Sequence, residues 1–162
     1  MPISLKNKVV LITGASSGFG ADAAKLFAAE GCRVILTARR LDRLQTLAAE
    51  IQSKGGEALA IPVDVAERAE VDVMVQTALD LYRNIDILFN NAGYGAVNWF
   101  ENLKPERDIE TLIKVNLIGT MLVTRAVLPA DQAVDEARET VERDAAAIAA
   151  TGGRVAEDQR RE

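Results

Sequence analysis

The densest chemistry in the chain lies in eight consecutive residues, Thr13-Gly14-Ala15-Ser16-Ser17-Gly18-Phe19-Gly20. Glycines let a backbone turn tightly and approach a ligand closely. An apolar run, Val9-Val10-Leu11-Ile12, leads into the loop, and a helical pattern leaves it. The first turn of a helix carries unpaired N–H groups and the positive end of the helix dipole, which together hold a phosphate. Ser16 and Ser17 add hydroxyl donors. The strand before and the helix after separate this segment from a plain glycine-rich turn, which is the bland alternative.

The residue types exclude other chemistries. The chain has no histidine and one cysteine, Cys32. That removes Ser-His and Cys-His relays and most zinc sites, and no metal site is expected. A single cysteine cannot form an internal disulfide, which fits a reducing cytoplasm. Lys and Arg number 19 against 24 Asp and Glu, a formal net charge of −5. Such a chain is a poor partner for nucleic acid or an anionic membrane. No apolar run approaches the roughly 18–20 residues that a membrane span needs. The start, Met1 to Lys8, lacks the pattern of a signal peptide.

At 162 residues and 49% hydrophobic, the chain suits one domain with an appendage. Strand-like runs at Val9–Thr13, Arg33–Thr37, Ala58–Val63 and Ile85–Phe89 alternate with helical patterns over 18–30, 41–54 and 67–83. This alternation predicts βαβ units, a parallel sheet and the α/β class. A further helix is expected over 106–128, ending at Pro129. Residues 131–162 differ in character: fourteen are charged, eight are alanine and none is aromatic. Val134, Val141 and Ile148 recur every seven residues, so this segment reads as a charged, Ala-rich helical tail. The expected division is therefore 1–130 for the domain and 131–162 for the tail.

Thr13 to Gly20, with Asn90-Asn91-Ala92-Gly93 after the fourth strand, resembles the short-chain dehydrogenase/reductase family. The match continues through Asp64-Val65, Lys114-Val115-Asn116-Leu117-Ile118-Gly119-Thr120 and Val127-Leu128-Pro129, covering about residues 5–130. The resemblance implies a Rossmann-type, doubly wound parallel sheet of about four strands in the order 3-2-1-4, with NAD(P) bound at the carboxyl ends of the strands. It implies that Gly14, Ser16, Ser17, Gly18, Phe19 and Gly20 surround the pyrophosphate and adjoining ribose. Asp64 and Val65 would meet the adenine. Asn91, Ala92 and Gly93 would pass under the adenosine, with Asn90 bracing the sheet. At the end of the second strand an acidic residue would accept from the ribose 2′-OH. This chain has Thr37 there, and Arg39 can pair with a 2′-phosphate. NADP(H) is thus expected ahead of NAD. The plainer alternative is that Arg39 and Arg40 are solvated loop charges.

The resemblance is partial. The family uses a serine, a tyrosine, a lysine four residues further on, and an asparagine. A tyrosine of ordinary pKa near 10 needs a nearby cation to work at neutral pH. Asn116 matches the asparagine. The only tyrosines are Tyr82 and Tyr94, and the residues four further on are Asp86 and Asn98. Tyr94, on the glycine-flanked loop Gly93-Tyr94-Gly95, is expected to be poorly fixed, either a pocket-lining ring or a plain loop residue, and Trp99 and Phe100 are expected to be packing groups. The expected function is a carbonyl/alcohol oxidoreductase domain that binds cofactor with little or no turnover. A non-catalytic interaction module with a vestigial nucleotide site, or a gene fragment, remains the alternative. An open fourth-strand edge over Ile85–Phe89 invites pairing, so a homodimer or a tail-covered edge is expected.

Overall fold

The computed structural model describes residues 4–128. The expected tail, 131–162, lies outside them. The elements are β1 (Val9–Thr13), α1 (Gly18–Ala29), β2 (Arg33–Ala38), α2 (Leu41–Ser53), β3 (Glu57–Pro62), α3 (Arg68–Tyr82) and β4 (Ile87–Phe89). A helical run over 105–127 follows. It contains the short α4 (Thr111–Ile113) and the longer α5 (Thr120–Val127). The segments Pro105–Glu110 and Lys114–Gly119 are wound more widely, with i→i+5 hydrogen bonding.

All strand pairs are parallel, as the strand–helix alternation predicts, and the order is β3-β2-β1-β4, as the family resemblance implies. Successive side chains of a strand point to opposite faces, so β1 and β2 feed two cores. Val10, Ile12, Val34 and Leu36 pack with Leu44, Leu47 and Ile51 beneath α1 and α2. Val9, Leu11 and Ile35 pack with Val71, Met74, Val75 and Val123 beneath α3 and α5. Helices on both faces are why these strands read as unbroken apolar runs. Leu11, Ile12, Ile35 and Leu36 are fully buried, each contributing about 1.5–3 kcal/mol.

Boundaries shift in three strands, and β2 runs one residue further than expected, to Ala38. β4 begins at Ile87, not at Ile85, because Asp86 leaves the side-chain alternation to cap the sheet. Its carboxylate accepts from the Val9 N–H (2.8 Å) and pairs with Lys8 Nζ (2.7 Å). β3 begins one residue earlier than expected and ends at Pro62. Proline is tolerated there because β3 is an edge strand. At the other edge, β4 is half-buried.

Candidate functional site

A cleft of about 600 Å³ opens at the carboxyl ends of β1, β2, β3 and β4. Its lining gathers Gly14, Ser16, Ser17 and Phe19 from the first loop, and Ala38, Arg39 and Arg40 after β2. Val63, Asp64 and Val65 follow β3, and Asn91, Ala92, Gly93 and Tyr94 follow β4. Arg107, Thr111 and Val115 complete the wall from the helical run. Ten of the expected cofactor residues thus lie together. Gly18 and Gly20 shape the loop without lining the cleft.

The loop is built by close contact. Gly14 has φ +68, and a Cβ on it would lie 2.8 Å from the Ala92 Cα. A Cβ on Gly20 would lie 2.6 Å from the Gly14 carbonyl oxygen and 2.5 Å from Asn91 Nδ2. Glycine is therefore required at both positions by backbone approach. No side chain caps the start of α1, so its first amides have no side-chain partner there.

Thr13 locks this loop to the one after β4. Its buried hydroxyl accepts from the N–H groups of Asn91 and Ala92, each at 3.0 Å. Asn91 Nδ2 in turn donates to the carbonyls of Thr13 (3.1 Å) and Gly14 (3.2 Å). Asn91, not Asn90, is therefore the brace between β1 and β4. Asn90 instead ties the sheet to α5 through Thr124 Oγ1 (2.9 Å), because its side chain leaves the opposite face of the strand end.

The two arginines divide the cleft rim. Arg40 Nη2 donates to Ser16 Oγ (2.8 Å) and Ser17 Oγ (3.1 Å). Arg39 Nη1 stands 3.9 Å from Asp64 Oδ2. Asp64 also accepts from the Ala66 N–H (3.0 Å), which turns the loop after β3. Arg40 is the residue that the sequence reading undervalued. Its position beside Arg39 carried a signal, but nothing local could place it over the serines.

Asn116 lies outside the cleft lining. Its side chain spans the Tyr94 backbone, with Oδ1 accepting from the Tyr94 N–H (2.7 Å) and Nδ2 donating to the Tyr94 carbonyl (2.8 Å). The Tyr94 hydroxyl lies 3.4 Å from Asp108 Oδ1. Tyr94 is consequently half-buried and held: it lines the cleft, one of the two expected placements, but it is not poorly fixed. Trp99 and Phe100 differ in the other direction. They are 76% and 78% exposed and pack on little. The carboxyl of Asp108 is held down to about 2 by the Arg107 guanidinium, then by the Lys104 N–H. The described residues hold no cluster of His, Cys, Asp and Glu suited to a metal.

The comparisons agree with this architecture. The family model for short chain dehydrogenase matches residues 8–140. A 3-oxoacyl-[acyl-carrier-protein] reductase of Synechocystis sp. is 39% identical over 125 residues, 76% of this chain and 50% of that protein. Among solved structures, a 3-ketoacyl-(acyl-carrier-protein) reductase from Brucella melitensis complexed with NADH superposes with a TM-score of 0.72. Its identity is 41%, over 78% of this chain and 50% of that one. A metagenomic short-chain oxidoreductase in complex with NADP gives a TM-score of 0.74 at 35% identity, covering 82% of this chain and 60% of that one. The chain spans about half the length of the curated relatives it matches. With the parallel sheet, the glycine loop and the Asn91 brace in place, the chain belongs to the short-chain dehydrogenase family.

Proposed function

We propose that the chain is a dinucleotide-binding oxidoreductase domain that takes NADP(H) in preference to NAD(H), with little or no carbonyl turnover of its own. The observation that carries this reading is the single cleft in which Gly14, Ser16, Arg39, Arg40, Asp64 and Ala92 converge. The donor chemistry fits the cofactor. The uncapped amides of α1 and the Ser16 and Ser17 hydroxyls suit a pyrophosphate. Two guanidinium groups at the end of β2, with no carboxylate on that strand end, suit a 2′-phosphate. When bound, the nicotinamide supplies a hydride to a carbonyl carbon. This chain's own part is to bind and orient the dinucleotide. Thr13 and Asn91 fix the loop on which it would lie, and Asn116 fixes the Tyr94 backbone beside it.

Proton delivery is where the chain falls short. No tyrosine among the 162 residues is followed four positions later by lysine. The Tyr94 hydroxyl is already engaged with Asp108 Oδ1 at 3.4 Å. Titrating the protein into NADPH and NADH while following nicotinamide fluorescence tests the binding. Both signals should change, NADPH at lower protein concentration. Arg39→Gln combined with Arg40→Gln should remove the difference, weakening NADPH alone by about tenfold, the effect of losing charge-assisted contacts worth about 1.4 kcal/mol. Carbonyl-dependent oxidation of NADPH by the purified chain should stay at the blank rate, and robust turnover would refute the reading.

The finer assignments rest on separate features. We read the chain as a homodimer, supported by the apolar side chains Ile113, Leu117 and Met121, which recur every four residues and are 44%, 54% and 63% exposed. The cytoplasm is its proposed compartment, supported by the buried, unpaired Cys32 thiol.

A further inference from the structure

The two arginines after β2 have partners of different charge. Arg40 Nη2 donates to Ser16 Oγ (2.8 Å) and Ser17 Oγ (3.1 Å). Both acceptors are neutral, and each hydroxyl keeps its own O–H to donate. Among the described residues no carboxylate pairs with Arg40, so its positive charge is not countered by the protein. Arg39 is met by a carboxylate, with Nη1 3.9 Å from Asp64 Oδ2. That distance exceeds a hydrogen bond, so the contact is one of charge.

Asp64 is the fixed member of that pair. Its Oδ1 accepts from the Ala66 N–H (3.0 Å), and its own N–H donates to Glu70 Oε2 (2.7 Å). These bonds hold the carboxylate on the loop after β3, where Oδ2 is the oxygen nearest Arg39. The Arg39 side chain is 70% exposed. A second groove, of about 610 Å³, is lined by Ile61 and Pro62 of β3 and by Val73 and Met74 of α3. Arg39 and Asp64 line this groove as well as the cleft, so the pair stands between the two spaces. Arg40 is bonded to the loop after β1 and Arg39 faces the loop after β3, on opposite sides of β2. A phosphate arriving at the end of β2 therefore meets one guanidinium with its charge uncountered and one held to the side by a carboxylate.

We propose that Asp64 sets the size of the preference for NADP(H) by competing with the 2′-phosphate for Arg39, which leaves Arg40 as the main cation that selects the phosphate. Asp64 is then a positioning residue that acts through Arg39. This rests on the reading of the cleft as a dinucleotide site with a 2′-phosphate at the end of β2. Binding of NADPH exchanges one anionic partner of Arg39 for another, so much of what that contact gains is offset by the one it loses. At Arg40 the exchange has no such offset, because the serine hydroxyls are neutral and can turn to donate to the same phosphate. NADH has no 2′-phosphate and leaves the Arg39–Asp64 pair as it is.

Calorimetric titration of wild type, Asp64→Asn, Arg39→Gln, Arg40→Gln and the double variant Asp64→Asn with Arg39→Gln tests it, with NADPH and NADH as the ligands and circular dichroism as the check on folding. The quantity read is the ratio of the two affinities. Asparagine keeps an oxygen for the Ala66 amide and removes the charge. Asp64→Asn should raise the ratio in favour of NADPH by about threefold, the scale of an exposed ion pair. The double variant should show the same ratio as Arg39→Gln alone. Arg40→Gln should lower the ratio more than Arg39→Gln does. A ratio that Asp64→Asn leaves unchanged or lowers would overturn the proposal. So would a rise that persists in the double variant, which would mean that Asp64 acts on the phosphate directly. Equal affinities for NADPH and NADH in wild type would instead overturn the reading of NADP(H) preference, and no binding of either the dinucleotide reading, and this inference falls with both. Should Asp64→Asn not fold, Asp64→Ser, which keeps a local acceptor for the Ala66 amide, carries the same comparison.

Discussion

Thr13 shows how one hydroxyl can organise a site. It is 1% exposed, yet it satisfies two backbone amides from the far side of the chain. Valine has the same shape and no acceptor. Thr13→Val should therefore cost about 1–3 kcal/mol in urea unfolding, the penalty for stranding buried donors. The same substitution should weaken cofactor binding, because the Asn91–Ala92 loop is what it holds. The loop glycines separate two causes that sequence alone merges. At Gly20 an added methyl meets the Gly14 carbonyl and the Asn91 amide, whereas at Gly18 it meets nothing within 4 Å but stands at φ +57. Gly18→Ala should cost about 1–2 kcal/mol, the strain of a left-handed alanine. Gly20→Ala should cost more and also abolish NADPH binding, since one neighbour is the Gly14 backbone carbonyl and the other is an Asn91 amide held by the Thr13 and Gly14 carbonyls. Equal losses of stability in the two variants would contradict this division. The spacing of the loop identified the residues. Which glycine is needed for contact and which for conformation depends on Ala92 and Asn91, more than seventy residues away.

Elements were legible wherever the pattern was local. β1 and β2 are continuous apolar runs because helices cover both faces, and no rival periodicity competes with them. β4 was read too long, because Ile85 and Ile87 alternate as a strand should while Asp86 between them serves as a cap for Val9. The run over 105–127 was legible as helix. Its wide turns were not, for they coincide with tertiary bonds from Asp108 and Asn116 to the Tyr94 loop. The Arg107–Asp108 grip left no trace in the sequence, since adjacent opposite charges at a helix start are usually solvated. At the end of α3, Tyr82 packs beside Arg33 and Glu57 at the starts of β2 and β3, and its hydroxyl is pushed up to about 12, chiefly by burial and then by Glu57. The unfolded chain releases that proton near pH 10, before the folded one does. Stability should therefore fall as pH rises from about 10 to 12. Tyr82→Phe should flatten that limb in urea unfolding at graded alkaline pH, and an unchanged slope would show that Tyr82 does not report on this packing. Asp108 gives the opposite limb. Its folded value near 2 lies below the ordinary one near 3.9, so its contribution is complete above about pH 4 and is lost as pH falls towards 2. Asp108→Asn should flatten the acid limb.

At the scale of the whole molecule, the described residues place one cleft at the carboxyl ends of all four strands. The described sheet has two covered faces and two edges, and the chain spans about half the length of its relatives. Ile113, Leu117 and Met121 form an exposed seam on the helical run, an area expected to be covered by a second copy. Leu117→Glu with Met121→Glu should convert a dimer to a monomer in size-exclusion with light scattering and leave NADPH affinity unchanged. A wild-type chain that already runs as a monomer at micromolar concentration would dispose of the dimer. The central claim concerns the cleft itself. Its most direct test is isothermal titration of the purified chain with NADPH and NADH under identical salt. One site per chain for each, with NADPH the tighter, is the predicted result. An absence of heat from both, with no rise in Tm at millimolar cofactor, would contradict the account.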